Sequence, residues 1–311
     1  MVLVSVLIPN YNYARFLPDA IESVLSQTYP HIEMIVVDDG STDNSRDVIA
    51  SYDERVIPVF KENGGPTSAL NAAFDRSRGD LISFLDADDA FDPQKAARVV
   101  AAARRRPQAY LIHHQMQIID ANGKAMHRPF PARVPDGDIR TLVASTGGWF
   151  PRPVMSGLTF TRAYAERLFP VPAEQQSFER GRSHLLPIFV DTYLASPAAL
   201  LAPVAGIQAP LTRYRVHDRN MTFTTQASSE GQLLRYRAEA ETLRTVMREK
   251  FGESRPLQLE DHLEYQLLRY AAGETSWAHT IRCVSRAPYL TARLKAREAL
   301  RISTKRHTDR L

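Results

Sequence analysis

The sequence has few of the features that mark secreted, membrane-spanning or nucleic-acid-binding proteins. Its single cysteine, Cys283, excludes an internal disulfide framework and suits a reducing compartment. No apolar run approaches the roughly 20 residues that are needed to span a bilayer. The first residues are typical of a strand and carry no basic segment, so we expect no secretory signal. The net charge of +4 is too small to indicate binding to nucleic acid. Together these absences favour a cytoplasmic protein.

Hydrophobic residues, by contrast, make up 44% of the 311 residues, which is enough to build a large core. Near the start of the chain, apolar segments that predict strands alternate four times with segments of helical spacing. The predicted strands are residues 3–8, 33–37, 56–60 and 81–85. This alternation predicts an α/β fold with a doubly wound, mostly parallel sheet.

The fourth predicted strand runs directly into three carboxylates, Asp86, Asp88 and Asp89. A buried strand that ends in acids places them at the carboxyl edge of the sheet, where open α/β folds bind ligands. Asp86 and Asp88 are two residues apart, so in an extended segment they point the same way and can share one hard cation. The alternative is an acidic turn that caps the following helix.

The other three predicted strands also end in polar or glycine-rich segments. Tyr11, Asp39 and Gly65 follow them in chain order. Because parallel strands present their carboxyl ends along one edge, we expect these residues to converge with Asp88 in a nucleotide site. The glycine pair at 64–65 matches neither a dinucleotide-binding fingerprint nor a Walker A loop.

In these stretches the sequence resembles the inverting family 2 glycosyltransferases of GT-A fold. The resemblance rests on the joint occurrence of several segments in one order, namely residues 6–12, 23–29, 36–43, 63–71 and 79–89. It implies that Pro9, Tyr11 and Asp39 hold the base and ribose of a nucleotide. It also implies that Asp86 and Asp88 form a DxD motif, which contacts the ribose and a divalent metal, Mn²⁺ or Mg²⁺, on the diphosphate.

Two further nucleotide-binding candidates come from the matching segment after the third strand, Gly65 and Asn71. One departure from the family pattern lies beside them. Many members carry arginine just before this asparagine, whereas the present chain has Leu70. A cation for the diphosphate must therefore come from elsewhere.

A second group of candidates follows residue 187. Asp191 is flanked by apolar residues, a position that favours desolvation of its carboxylate. The segment resembles the family's Glu-Asp-x-x-Leu region, which implies that Asp191 is the catalytic base, although Val190 replaces the glutamate. Residues 214–217 resemble the family's Tyr-Arg-x-His segment, which makes His217 a metal ligand candidate beside Asp86 and Asp88.

The middle of the chain carries the acceptor candidates. Residues 110–119, followed by an Asn-Gly turn, predict a hairpin. Adjacent His113 and His114 would point to opposite faces of that strand, so we interpret them as structural. Residues 127–155 are rich in glycine and proline, which predicts a long loop suited to acceptor recognition.

Two aromatic residues near the end of that loop, Trp149 and Phe150, either stack on a sugar or anchor the loop to the core. Ser156 is a further acceptor candidate. We expect one glycosyltransferase domain over residues 1–225, with a nucleotide-sugar half at 1–106 and an acceptor half at 107–225. Residues 226–311 predict a helical extension.

The expected function is metal-dependent, inverting transfer from a nucleotide-diphosphate sugar, by family frequency a UDP-sugar, to an acceptor hydroxyl. The acceptor is expected to be a glycan or a lipid-linked molecule, in the synthesis of a polysaccharide, glycolipid or other envelope glycan. A sugar nucleotidyltransferase is one alternative, but residues 9–13 lack the glycine and lysine that its first loop would carry. A catalytically inactive nucleotide-sugar-binding protein is the other, and the retained acids argue against it.

The last segment, residues 281–311, holds nine lysines and arginines but only two acidic residues. Such a segment is either an ordinary solvated terminus or a peripheral contact with an anionic membrane surface, which would place the protein at the inner face of the membrane.

Overall fold

The computed structural model describes residues 1–126, 128–179, 182–187, 189–218, 229–254, 257, 259 and 262–286. The strands are β1 Val4–Asn10, β2 Ile32–Asp39, β3 Ile57–Lys61, β4 Leu81–Phe84, β5 Ala90–Phe91, β6 Leu111–Ile119, β7 Leu158–Thr161, β8 Glu174–Glu179, β9 Arg182–Pro187 and β10 Ala205–Arg215. The α-helices are α1 Leu17–Leu25, α2 Ser45–Ala50, α3 Pro66–Arg76, α4 Lys95–Arg105, α5 Arg140–Ser145, α6 Arg162–Ala165, α7 Val190–Leu201, α8 Ser229–Phe251, α9 Leu263–Ala271 and α10 Trp277–Arg286.

Eight strands form one sheet in the order β3-β2-β1-β4-β7-β6-β10-β5. The first four strands along the chain, β1 to β4, are joined by parallel pairing, as the alternation of strands and helices predicts. β7 runs antiparallel between β4 and β6, and β10 pairs in parallel with β6. The predicted mostly parallel α/β sheet is therefore confirmed. β8 and β9 form a separate two-stranded sheet.

The core lies on both faces of this sheet. Along β1, Leu7 packs into a cluster with α3, α7 and α8, whereas its neighbours Val6 and Ile8 pack on the other side with α1 and α4. This alternation follows from the two-residue period of a strand. Since both faces are covered, the polar site can form only at the edge where the strands end.

The hairpin predicted after β6 forms only in part. The Asp120 carboxylate accepts hydrogen bonds from the amides of Asn122 and Lys124 and closes the turn. The returning segment then pairs with β6 only at isolated bridges, one of them at Phe130. Prolines at positions 129 and 131 flank that bridge. Because proline has no N–H to donate, this segment cannot continue a ladder, and β7 and β10 are the partners of β6 instead.

Most of the described residues after 226 lie in helices, as predicted. α8 ends at Phe251, and Gly252 follows it with φ +68. The same helix contributes Leu243, Val246 and Met247 to the main core. No helix in the described part of the chain combines the length and apolar character needed to cross a bilayer. Residues 287–311, which carry most of the basic segment, lie outside the described residues.

Candidate active site

The loops after β1 and β2 are locked together at the carboxyl edge of the sheet. Asn12 adopts φ +60, and its side-chain oxygen accepts a hydrogen bond from the amide of Thr42 at 2.7 Å. In return, the Ser41 hydroxyl accepts from the amide of Asn12 at 2.9 Å. These bonds leave the Tyr11 side chain 45% exposed beside half-buried Pro9. An aromatic face is thus presented to solvent at this edge.

Asp39, the last residue of β2, joins this edge to the start of α3. Its carboxylate accepts hydrogen bonds from the amides of Gly64 at 3.0 Å and Gly65 at 2.8 Å. It also pairs with Lys61 Nζ at 2.5 Å. Gly65 adopts φ +85, which positions its amide toward the carboxylate and favours glycine there. The structure therefore brings Asp39 and Gly65 together, and it adds Lys61, which the sequence analysis missed.

Ser156 fixes the start of the acidic loop that follows β4. The Ser156 hydroxyl accepts a hydrogen bond from the amide of Asp86 at 3.0 Å. Burial, together with the negative charge of Asp88, raises the pKa of Asp86 to about 7. Asp89 is fully buried, and burial with the charge of Asp88 raises its pKa well above the ordinary value. The surroundings of this loop thus disfavour the ionised forms of Asp86 and Asp89.

Arg215, near the end of β10, fixes the backbone of this acidic loop. Its own amide donates to Asp89 Oδ1 at 2.9 Å, and its guanidinium donates to the carbonyl of Asp88 at 2.8 Å. The same guanidinium reaches Asp19 on α1 at 2.8 Å. The Tyr-Arg-x-His segment of the sequence includes this residue. The contacts of Arg215 in the structure show that it holds the acidic loop in place.

A second cation, Lys95, lies behind the acids and was not predicted. It is 1% exposed, donates from Nζ to the carbonyl of Ser156 at 2.8 Å and lies over the Phe91 ring at 3.3 Å. Burial lowers its pKa well below the ordinary value, and the charges of Asp89 and Asp86 oppose that shift. Nothing in the sequence marks it, because a lysine in the first turn of an amphipathic helix is normally solvent-exposed.

His217 lies in direct contact with Asp88. Its Nε2 is 2.9 Å from Asp88 Oδ2, and its ring stacks on Phe16 with centroids 4.9 Å apart. In the described part of the chain, no group of three or more His, Cys, Asp or Glu side chains is placed so that it could hold a metal ion. Asp88 and His217 are in direct contact beside the repelling charge of Asp86, and a divalent cation bound to Asp88 would relieve that repulsion and take its remaining ligands from other oxygens.

Asp191 opens α7 close to this acidic cluster. Its charge is near enough to raise the pKa of Asp86. The carboxylate accepts a hydrogen bond from the amide of Thr192 and lies 3.8 Å from a guanidinium nitrogen of Arg152. The side chain is 26% exposed. Asp191 is therefore only partly desolvated, and an arginine from the long loop faces it.

Two other sequence-based assignments need correction, and the burial of Phe150 decides between the two alternatives left open for it. The side-chain N–H and C=O of Asn71 are both hydrogen-bonded to the backbone of Val171, at 2.8 Å each. Asn71 therefore fastens a loop rather than facing the nucleotide. Ser156 is fully buried behind Asp86 and has no surface for an acceptor to contact. Phe150 is also fully buried, so it anchors the loop. Trp149 is partly exposed and lies 5.1 Å from the ring of His262.

Comparison with known proteins bears directly on this arrangement. The model of the family described as Glycosyl transferase family 2 matches residues 5–167. An uncharacterized glycosyltransferase of Nostoc sp. is 32% identical over 275 residues, which cover 86% of this chain and 82% of the relative. The putative teichuronic acid biosynthesis glycosyltransferase TuaG of Bacillus subtilis is 41% identical over 112 residues, 35% of this chain and 44% of its own.

Two solved structures share the fold at low sequence identity. TarS of S. aureus, residues 1–349 in complex with UDP-GlcNAc, has a TM-score of 0.55 and 15% identity, and the match covers 91% of this chain and 83% of that one. The mannosyltransferase of Pyrobaculum calidifontis in complex with GDP-Man and Mn²⁺ has a TM-score of 0.54 and 16% identity, over 97% and 80% of the chains. The chain therefore has a GT-A fold and belongs to glycosyltransferase family 2.

Proposed function

We propose that this enzyme transfers a sugar from a nucleotide-diphosphate sugar to an acceptor hydroxyl with inversion, using a divalent cation. The observation that carries the proposal is the convergence of Asp39 with Gly65, of Asp88 with His217, and of Asp191 at one sheet edge. The UDP-GlcNAc and GDP-Man complexes of the two structural neighbours support this donor class.

The donor's nucleotide would lie over the first three strand ends. Tyr11 offers an exposed ring for the base beside Pro9, and Asp39 with the amide of Gly65 faces the same space. We propose a UDP-sugar as the donor. Lys61, paired with Asp39, is a cation at this end of the site in a chain that has Leu70 in place of the family arginine.

The residues of the acidic loop would hold the cation. Asp88, with Asp86 and His217, would bind Mn²⁺ or Mg²⁺, which when bound neutralises charge on the leaving diphosphate. Asp191 takes the proton of the acceptor hydroxyl as that oxygen attacks the anomeric carbon. Attack comes from the face opposite the diphosphate, so the bond from the anomeric carbon to the phosphate oxygen breaks as the new glycosidic bond forms.

The acceptor class follows from the relatives and the charge of the chain. TuaG, named for teichuronic acid biosynthesis, supports an envelope glycan or lipid-linked acceptor. We propose in addition that the basic segment 281–311 makes a peripheral contact with an anionic membrane surface, where such acceptors lie.

Thermal shift with nucleotides tests the donor and the cation together. We expect UDP to stabilise the protein more than GDP, dTDP or CMP, and to do so only with Mn²⁺ or Mg²⁺ present. A ligand at 100 times its dissociation constant adds about 2.7 kcal/mol to the free energy of unfolding. Asp88→Asn, which keeps a hydrogen-bonding group for His217 but removes the charge, is expected to abolish the metal dependence.

The matched control is Asp47→Asn, at an exposed acid on α2. It is expected to behave as the wild type. Metal-dependent stabilisation that persists undiminished in Asp88→Asn would contradict the assigned cation site. Stabilisation by none of the four nucleotides would contradict the proposed donor class.

A further inference from the structure

A small pocket lies beside Asp191, where four separate parts of the chain meet. The loop after α5 supplies Trp149 and Arg152, and α7 supplies Thr192. α8 and the segment before α9 supply Tyr236, Glu239 and His262. The Arg152 guanidinium donates to the Thr192 hydroxyl at 2.7 Å and also faces Asp191. The pocket and the proposed catalytic base therefore share one arginine.

The wall from α8 is held close by a contact that requires glycine. Gly148 adopts φ +103, and a Cβ added there would stand 2.5 Å from a methyl group of Leu243 on α8. The carbonyl of the same glycine accepts a hydrogen bond from Ser196 on α7 at 2.7 Å. α7, α8 and the loop are thus packed as one unit, so the pocket is a fixed part of the fold.

Two buried hydrogen-bond donors line this pocket without a protein partner. Arg152 Nε and His262 Nε2 make no hydrogen bond within the part of the chain that the structure describes. The Arg152 side chain is 10% exposed and His262 is 1% exposed. Buried donors of this kind are costly unless a ligand or water satisfies them.

The state of His262 follows from its position before α9. Its Nδ1 accepts a hydrogen bond from the amide of Tyr265 at 3.2 Å, as a helix cap. Burial lowers the pKa of His262 to about 4, so the ring is neutral at pH 7. A neutral ring whose Nδ1 accepts carries its proton on Nε2. His262 Nε2 is therefore a donor, like Arg152 Nε.

The charged side chains around the pocket form two pairs of opposite sign, and this balance favours a neutral ligand. Arg152 faces Asp191, and Arg235 pairs with Glu239 at 2.7 Å. An anionic group would gain two donors but would also meet two carboxylates. Trp149 and Tyr236 flank the His262 ring at 5.1 and 4.6 Å, which adds an aromatic wall. Vicinal hydroxyls over aromatic rings match these donors and this wall without added charge.

We propose that this pocket is the acceptor subsite and binds the hydroxyl edge of a neutral sugar. The assignment rests on the proposed glycosyl transfer, because it places the acceptor next to Asp191. The enclosed space holds about one water molecule, so a hydroxyl enters it while the ring stays at the mouth. Tyr236, Glu239 and His262 lie beyond residues 5–167, so the C-terminal extension takes part in acceptor recognition.

Saturation-transfer NMR on the full chain with UDP and Mn²⁺ tests this assignment. The probes are the methyl pyranosides of glucose, galactose and mannose, with methyl glucuronide and inorganic phosphate as anionic competitors. We use two variants that conserve the fold. His262→Asn keeps a helix-capping oxygen but shortens the donor, and Glu239→Gln keeps an acceptor for Arg235. Glu241→Gln, at an exposed position on the same helix, is the matched control.

At least one neutral pyranoside is expected to bind the wild type and the control. Its affinity is expected to fall about three- to tenfold in each of the two pocket variants, as loss of one hydrogen bond implies. UDP binding, measured by thermal shift on the same samples, is expected to stay unchanged.

Equal pyranoside affinity in wild type and both pocket variants would overturn the assignment. Displacement of the pyranosides by phosphate or glucuronide, or binding of only these anions, would overturn it as well. Failure of the proposed function is a separate result, since it appears as absence of nucleotide binding in the wild type.

Discussion

Lys95 and Asp89 are both buried, and burial lowers the pKa of Lys95 and raises that of Asp89. The negative charges of Asp89 and Asp86 favour the protonated form of Lys95 and so oppose the effect of its burial. The sequence shows the acids but gives no sign of the lysine. The reason is that Lys95 reaches the site through Ser156, which is 61 positions away in the chain.

His113 contributes a pH-dependent part of the stability. Its ring is fully buried on β6, Nε2 donates to the carbonyl of Pro135 at 2.8 Å, and burial lowers its pKa to about 4. In the unfolded chain the pKa is about 6.5. Between these values only the unfolded state binds the proton. The free energy of unfolding therefore falls as the pH drops through this window, by about 3 kcal/mol in total.

Urea unfolding of His113→Gln at about pH 7.5 and about pH 5 checks this contribution. The variant keeps a side-chain donor but does not titrate, so its stability is expected to fall less on acidification than that of the wild type. His31→Gln, at a partly exposed histidine, is the control and should follow the wild type. Parallel losses in wild type and His113→Gln would contradict the assignment.

At the scale of elements, sequence patterns predicted the strands and helices that depend on interactions between neighbouring residues. The strands β1 to β4 and their helices follow from apolar periodicity and from turn residues such as Gly40, whose φ is +74. The insertion of β7 between β4 and β6 has no local signal, because it depends on pairing across about 76 residues. The weak return of the hairpin could have been predicted from its two prolines.

Asn71 connects α3 to the backbone of Val171, a contact that the family motif around Asn71 does not indicate. Its side chain binds both backbone groups of Val171, next to a Phe74–Phe169 stack with centroids 4.0 Å apart. Asn71→Ala leaves a partly buried N–H and C=O without these partners. We expect the free energy of unfolding to fall by about 1–3 kcal/mol, measured by urea denaturation.

Nucleotide affinity, measured by calorimetry on the same variant, is expected to stay at the wild-type value. Asp75→Ala, at an exposed position on the same helix, is the control and should change neither property. A large loss of nucleotide affinity with unchanged stability would restore the nucleotide-binding role that the motif implies.

At the scale of the whole molecule, convergence of the strand ends was predictable because parallel strands share one carboxyl edge. The parts of the site that come from far along the chain were predictable only where a family segment resembles them, as for Asp191 and His217. The position of α8 over the site could not be predicted, since Tyr236 and Glu239 are ordinary residues of a polar helix. Their role depends on how closely α8 approaches Gly148.

The basic segment 281–311 leads to a prediction about the whole chain. Each basic residue near an anionic surface contributes about 1 kcal/mol, and salt screens this attraction. The full chain is expected to co-sediment with phosphatidylglycerol vesicles at low salt and to be released at high salt, whereas a chain truncated after Ala287 is expected to remain in solution. Equal sedimentation of the two proteins, or none by either, would contradict the membrane contact.

The central claim is that Asp191 is the base of a nucleotide-sugar-dependent transfer, and one variant tests it most directly. Asp191→Asn keeps the size of the side chain and an oxygen for the amide of Thr192, but removes the basic carboxylate. The measurement compares nucleotide release from the preferred UDP-sugar, with water as acceptor, to UDP affinity from calorimetry. We predict release slowed about 10²- to 10⁴-fold at unchanged UDP affinity. Release at a rate close to that of the wild type would contradict the account.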